Sequence, residues 1–335
     1  MQKNIQNIIQ DIVNSEETSV KTFKKMYMAA SEDIGNRWEK YVTEVKKFSE
    51  DQADIVFRIL QKNGNLDLMI DCIKKGGVID PKSFLSVLNT PMSLSQLFAE
   101  LVPSEYNFDI KTIERLVRCQ TGAASITVGP GELAISLLTK DTVQNGGLKS
   151  KRNKCEDDNK KSGDLLMGGM VVEMKGNMCL FSGLKNKPRG NVLLSNLKKK
   201  YNFVPTGAGF AEWNKYFDDN KKLDVSKFAE NICTNYFEED HDQLSKYIEF
   251  LKTTDISTGK DFLLSLALYG LKVYWQTENF DRVMFINSKT LQVLIIDPSQ
   301  SFSKLWEVFS NNFKAVTAIA KNDIRRSLPK ITLIS

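Results

Sequence analysis

Two acids and a lysine at the open end of a short apolar hairpin are the side chains of this sequence whose types and spacing could do chemistry. Residues 163–175 read Gly-Asp-Leu-Leu-Met-Gly-Gly-Met-Val-Val-Glu-Met-Lys. A Gly-Gly pair between apolar, β-prone runs predicts a two-residue primed turn, because both central positions need φ > 0. The register follows: Met167 faces Met170, Leu166 faces Val171, Leu165 faces Val172, and Asp164 falls opposite Glu173. Lys175, two positions on, shares their face. Like charges directly opposed across a sheet repel, and a divalent cation would neutralise them. Oxygen-only ligation by a few carboxylates, with room for water and phosphate, suits Mg²⁺, with Mn²⁺ as a substitute. The opposite face, Leu165, Met167, Met170, Val172 and Met174, is wholly apolar and is expected to be buried.

The competing explanation is a structural hairpin with a charged rim. Acid-x-Lys triplets are cheap in a chain that is 26% charged, and others begin at Glu44, Asp80, Asp109, Asp158 and Asp219. Those lie in polar, helical or loop-like stretches and read as solvated surface. The Glu173 triplet differs by ending an apolar hairpin with an acid across from it. His241 is the single histidine and sits in a charged run. A Ser-His-Asp triad, a His-x-x-x-His metal motif and a histidine nuclease site are therefore excluded. Hydrolytic chemistry here must rest on carboxylates, lysine and metal.

The formal net charge is only +5, but it is unevenly spread. From Gly176 to Phe210 there is no Asp or Glu, while Lys185, Lys187, Arg189, Lys198, Lys199 and Lys200 supply six positive charges. A second cluster before Asp164, with Lys149, Lys151 and Arg152 among its members, is diluted by acids at 156–158. Lys and Arg engage backbone phosphates and steer a polyanion toward an acidic metal site. The acid-free stretch from Gly176 to Phe210 is read as DNA contact. The second is equally consistent with a solvated loop.

The elements that must position these groups divide by texture. Residues 1–105 read as a helical bundle for recognition or oligomerisation, with a long helix over 18–48 and further helices over 51–62, 66–75, 80–88 and 93–101. Residues 106–335 read as the core that carries the site. Ahead of the hairpin come a helix over 108–119, a strand over 125–128 and a helix opened by Gly129-Pro130-Gly131-Glu132, with 141–162 as a long loop. Glu132 in that first turn is either a helix-dipole carboxylate or a functional one. After the hairpin, Gly176-Asn177 predicts a third antiparallel strand over 178–181. A mostly helical, basic insertion around 185–270 follows, then strands over 272–276, 282–287 and 291–296, a helix over 302–319 and a strand over 331–334. Five dispersed cysteines without Cys-x-x-Cys pairing argue for a reducing compartment, and a cytoplasmic location is expected. The apolar run 262–271 is far short of the roughly 20 residues a membrane span needs, so no membrane partner is expected.

A helix bearing Glu132, a hairpin with Asp164 and Glu173-Met174-Lys175, and later strands resemble the PD-(D/E)XK nuclease superfamily over residues 129–183. Gly163 stands where the family name has proline. The resemblance implies an α+β or α/β fold with a restriction-endonuclease-like core: helix, antiparallel β-meander, helix and strand, here with a helical N-terminal domain. It implies a Mg²⁺-dependent DNA endonuclease of restriction or phage type, acting on double-stranded DNA, leaving 5′-phosphates and expected as a homodimer. Asp164, Glu173 and the Met174 carbonyl would hold the metal. Lys175 would orient or deprotonate the attacking water, and Glu132 would bind through water or share a second metal. The alternative is a non-catalytic DNA-binding or structural accessory protein, for instance of a phage particle, with a nuclease-like fold.

Overall fold

The computed structural model describes residues 40–62, 68, 71–72, 75–106, 109–118, 129, 131–144, 163–176, 179, 181, 190–206, 209–236, 241–317 and 329–334. In chain order its helices are α1 (Glu50–Lys62), α2 (Pro81–Ser86), α3 (Leu94–Leu101), α4 (Ile110–Arg118), α5 (Glu132–Leu138), α6 (Gly190–Tyr201), α7 (Ala211–Asp219), α8 (Val225–Tyr236), α9 (His241–Thr253), α10 (Gly259–Glu278) and α11 (Phe302–Asn312). A π-helical turn at Lys40–Val45 precedes α1. The strands are β1 (Met92–Ser93), β2 (Thr142–Gln144), β3 (Leu165–Met167), β4 (Met170–Lys175), β5 (Arg282–Asn287), β6 (Gln292–Ile296), β7 (Phe313–Thr317) and β8 (Lys330–Leu333). The architecture is therefore mixed α and β.

The described residues fall into two compact units. The first draws on residues 1–86, 94–156 and 164–174, the second on 87–93, 157–163 and 175–335. This division does not follow the textural change near residue 105: the hairpin groups with helices from the N-terminal third, because packing joins segments that composition separates. The long helix expected over 18–48 falls largely outside the described residues, as does the strand over 125–128.

In the first unit β2, β3 and β4 form an antiparallel meander. Helix α5 packs on β2 and β3 and against α4, which in turn meets α1. All seven residues of α5 are buried, and Leu165, Met167 and Val172 join Leu116, Val117, Leu133 and Leu137 in the core. β2 replaces the start of the loop expected over 141–162. Thr-Val-Gln is too short and too polar to read as a strand, yet its ladder with β3 runs from Thr142↔Met167 to Gln144↔Leu165. The expected third strand over 178–181 is a second correction: Cys179, its described midpoint, bridges Ile331 instead.

The second unit is organised around α10, of which residues 262–273 are buried almost throughout. Thr258 caps it, its Oγ1 accepting from the Asp261 amide at 3.0 Å. Asn279, in the left-handed region at φ 53°, ends it. A Cβ on Gly259 would collide with the Trp213 main chain, so close approach of α10 to α7 requires glycine there. Trp213 stacks on Phe262 at 6.0 Å, and Phe228 meets Phe262 at 5.2 Å. Tyr247, Tyr269 and Phe302 form a second aromatic group joining α9, α10 and α11.

Strand β6 lies between β1 and β5, and β7 pairs with β8. Two expectations fail here. The strand over 272–276 is the last third of α10, since Lys272 and Val273 continue its buried surface and tertiary burial overrides the β preference of Val-Tyr-Trp. The helix over 302–319 stops at Asn312, where alternate burial of Phe313 and Ala315 supports β7.

Candidate metal centre

The turn that aligns the candidate site forms as the sequence requires. Gly168 and Gly169 have φ of 54° and 85°, and the Gly168 amide donates to the Asp141 carbonyl at 3.0 Å. The register is Met167↔Met170, Leu166↔Val171 and Leu165↔Val172. The apolar face is buried at Leu165, Met167, Val172 and Met174, with Met170 half-buried. The other face is divided: Leu166 is 39% exposed, whereas Val171 and Glu173 are buried, Glu173 to 2% exposure.

Asp164 and Glu173 stand at the open end of this ladder, and Asp164 is drawn in toward β4. Its amide donates to the Val172 carbonyl at 3.0 Å. Its Oδ2 accepts from the Met174 amide at 2.8 Å, where a main-chain carbonyl would otherwise extend the ladder. The carboxylate thus caps the edge of β4 with a charge-assisted hydrogen bond. Lys175 ends β4 and groups with the second unit, where its Nζ lies 4.7 Å from the centroid of the Tyr274 ring on α10. That is a cation–π distance.

Glu132 opens α5 and is buried. Its Oε1 accepts from the Gly129 amide at 2.6 Å, so one oxygen secures the loop that leads into its own helix. Lys198, Lys199 and Lys200 are exposed in the last turn of α6. Lys149, Lys151, Arg152, Lys185, Lys187 and Arg189 lie outside the described residues.

Hard oxygen donors at the hairpin end, two carboxylates and the Met174 carbonyl, are of the kind Mg²⁺ takes, which commonly uses one or two carboxylates and completes its shell with water and phosphate. Among the described residues, no three His, Cys, Asp or Glu side chains are grouped so as to hold a metal ion. A protein site here would therefore be built on a pair of carboxylates.

Two lysine contacts, one ring-bound at the end of the hairpin and one buried in the first unit, escaped the sequence pattern. Tyr274 is visible only once α10 is known to continue past 271. Lys46, in the Glu44-Val45-Lys46 triplet expected at the surface, is 1% exposed and donates to the Thr139 carbonyl at 2.6 Å. Burial pushes its amine down to about 7, against the pull of Cys72 and Asp141. Nothing in a polar triplet signals that burial.

No protein-family model, curated protein or solved structure matches this chain. Among the described residues no helix is long and apolar enough to cross a membrane.

Proposed function

We propose that this chain is a Mg²⁺-dependent deoxyribonuclease of the PD-(D/E)XK type, an endonuclease acting on double-stranded DNA through a restriction-endonuclease-like core. The observation that supports this most is the Leu165↔Val172 register, beyond which Asp164 and Glu173 are the next residues along the two segments, with Lys175 ending β4.

In this proposal Asp164, oriented by the Met174 amide, and Glu173, together with the Met174 carbonyl, would hold the ion. When bound, Mg²⁺ supplies Lewis acidity at the phosphoryl oxygen and acidifies a water. The Lys175 amine would orient or deprotonate the attacking water and stabilise charge on the phosphoryl oxygens. The water oxygen bonds to phosphorus as the bond to the 3′ oxygen breaks, leaving a 5′-phosphate and a 3′-hydroxyl. Glu132 supports the site from the start of α5. Lys198, Lys199 and Lys200 neutralise backbone phosphates, with Lys149, Lys151, Arg152, Lys185, Lys187 and Arg189 proposed to extend that surface. Homodimerisation, which would let two sites address two strands, belongs to the same proposal.

The test is plasmid cleavage in Mg²⁺ by the wild type, Asp164→Ala and Lys175→Ala. Nicking or linearisation by the wild type, lost in both variants, is expected. Cleavage retained in both would remove the hairpin from the mechanism.

A second reading, a DNA-binding or structural accessory protein that does not cut, is favoured by one specific contact. The Asp164 Oδ2 already serves as a structural acceptor for the Met174 amide. Calorimetric titration with Mn²⁺ separates the two: the nuclease should bind the ion and Glu173→Gln should not, whereas an accessory protein should give no Glu173-dependent heat.

A further inference from the structure

Lys175 ends β4 directly after Glu173 and Met174, and the main chain is held on both sides of it. Before it, the Met174 amide donates to the Asp164 Oδ2 at 2.8 Å. Beyond it, Cys179 and Ile331 exchange main-chain hydrogen bonds at 3.0 and 3.1 Å. Such anchoring leaves the lysine stem undetermined, because a four-carbon chain is flexible and carries a large rotamer entropy. An amine that must meet a reacting water needs placement to within about 0.5 Å. Something else has to fix the side chain.

Tyr274, on α10, is placed to do so. The Lys175 Nζ lies 4.7 Å from the centroid of its ring, where the negative π face attracts a cation. The ring is itself fixed. Phe181 and Phe280, both buried, flank it with centroids at 6.2 and 5.6 Å and interplanar angles of 44° and 49°. Phe181 in turn meets Phe285 of β5 edge-on at 6.1 Å, so this support is continuous with the core of the second unit. Two hydrogen bonds close the last turn of α10 around the tyrosine. The Asn279 amide donates to the Trp275 carbonyl at 2.7 Å, and the Trp275 Nε1 donates to the Phe280 carbonyl at 2.8 Å.

Resting on the nuclease reading of the hairpin, we propose that Tyr274 is a positioning residue for phosphodiester hydrolysis, its ring face seating the Lys175 amine for its work on the attacking water. Tyr274 touches neither ion nor substrate in this role and acts only through Lys175. The hydroxyl has no part in it. The attraction belongs to the π face, which phenylalanine shares and leucine lacks. One ring face covers one side of an ammonium, whose three N–H groups are spread about the nitrogen. Seating on the ring is therefore compatible with donation to a water or a phosphoryl oxygen. The site thereby draws on α10, far in sequence from the hairpin.

Steady-state plasmid nicking in Mg²⁺ is compared for the full chain as wild type, Tyr274→Leu and Tyr274→Phe. Tyr274→Leu should lower kcat about tenfold, the scale of one cation–π contact, with KM changed by less than about twofold. Tyr274→Phe should recover most of that loss. In parallel the lysines are dimethylated with ¹³C-formaldehyde, which keeps their charge, and observed by NMR. The Lys175 signal is assigned by its absence from Lys175→Arg. Lying over a ring face, it should stand upfield of its position in denaturing urea in the wild type and Tyr274→Phe, and lose that displacement in Tyr274→Leu. Unchanged kcat in Tyr274→Leu, or an equal loss in Tyr274→Phe, overturns the positioning role. An active wild type whose Lys175 signal is not displaced also overturns it, without requiring any Tyr274 variant to fold. A displaced signal in a wild type that cuts no DNA instead sinks the nuclease reading, and this role with it, while the ring contact stands.

Discussion

Replacing Lys46 by methionine tests the burial of a charge in the first unit. Methionine keeps a long, flexible stem and removes the titrating group. The Lys46 amine falls from its ordinary 10.5 to about 7 on folding. A tenfold change in proton affinity corresponds to about 1.4 kcal/mol, so the ammonium form costs the folded state on the order of 5 kcal/mol. The sign follows from proton counting. Below about pH 7 both states are protonated and the whole cost is present. Between about 7 and 10.5 the unfolded chain binds more protons, and stability rises with pH. The substitution also deprives the Thr139 carbonyl of its 2.6 Å donor, at about 1–3 kcal/mol, but that loss is nearly the same at every pH. Urea unfolding of wild type and Lys46→Met at about pH 6 and pH 9.5 isolates the titration. The wild type should gain about 3 kcal/mol relative to the variant between these conditions. A difference constant to within about 0.5 kcal/mol would refute the depressed, buried ammonium.

Three further outcomes are expected. Asp164→Asn retains an acceptor for the Met174 amide, so it should fold with less than about 1 kcal/mol lost yet abolish Mg²⁺-dependent cleavage; chemical denaturation and a plasmid assay on one preparation check both halves. Gly259→Ala drives a methyl into the Trp213 main chain and should cost about 1–3 kcal/mol, measured as a fall in urea midpoint, while Gly169→Asn, with open space and φ 85°, should be nearly neutral. Replacing Lys198, Lys199 and Lys200 together by alanine removes three exposed cations from α6. It should weaken duplex binding equally across sequences and reduce the slope of log affinity on log salt by up to about 3, read by fluorescence anisotropy over a salt series.

The sequence by itself determined what short-range stereochemistry controls. Two adjacent glycines between β-prone runs are sufficient to place the turn, and the strand period of two then sets every partner from Leu165 to Val172. The start of α10 is equally local, because Thr258 can cap only the helix that follows it. The limits of that control are seen at Val273-Tyr274-Trp275, whose β preference yields to a buried helix, and at Phe313, where α11 gives way to a strand because β8 supplies a partner. Thr142–Gln144 becomes a strand only because β3 is beside it. At the candidate site, the ladder from Met167↔Met170 to Leu165↔Val172 was legible as a register, but the turning of the Asp164 carboxylate onto the Met174 amide was not. The burial of Lys46 and Lys272 and the cation–π contact of Lys175 with Tyr274 were likewise decided by tertiary structure. Backbone dihedrals and side-chain period act over a few residues, whereas desolvation of a charge depends on which distant segments close over it, and no local pattern encodes that enclosure.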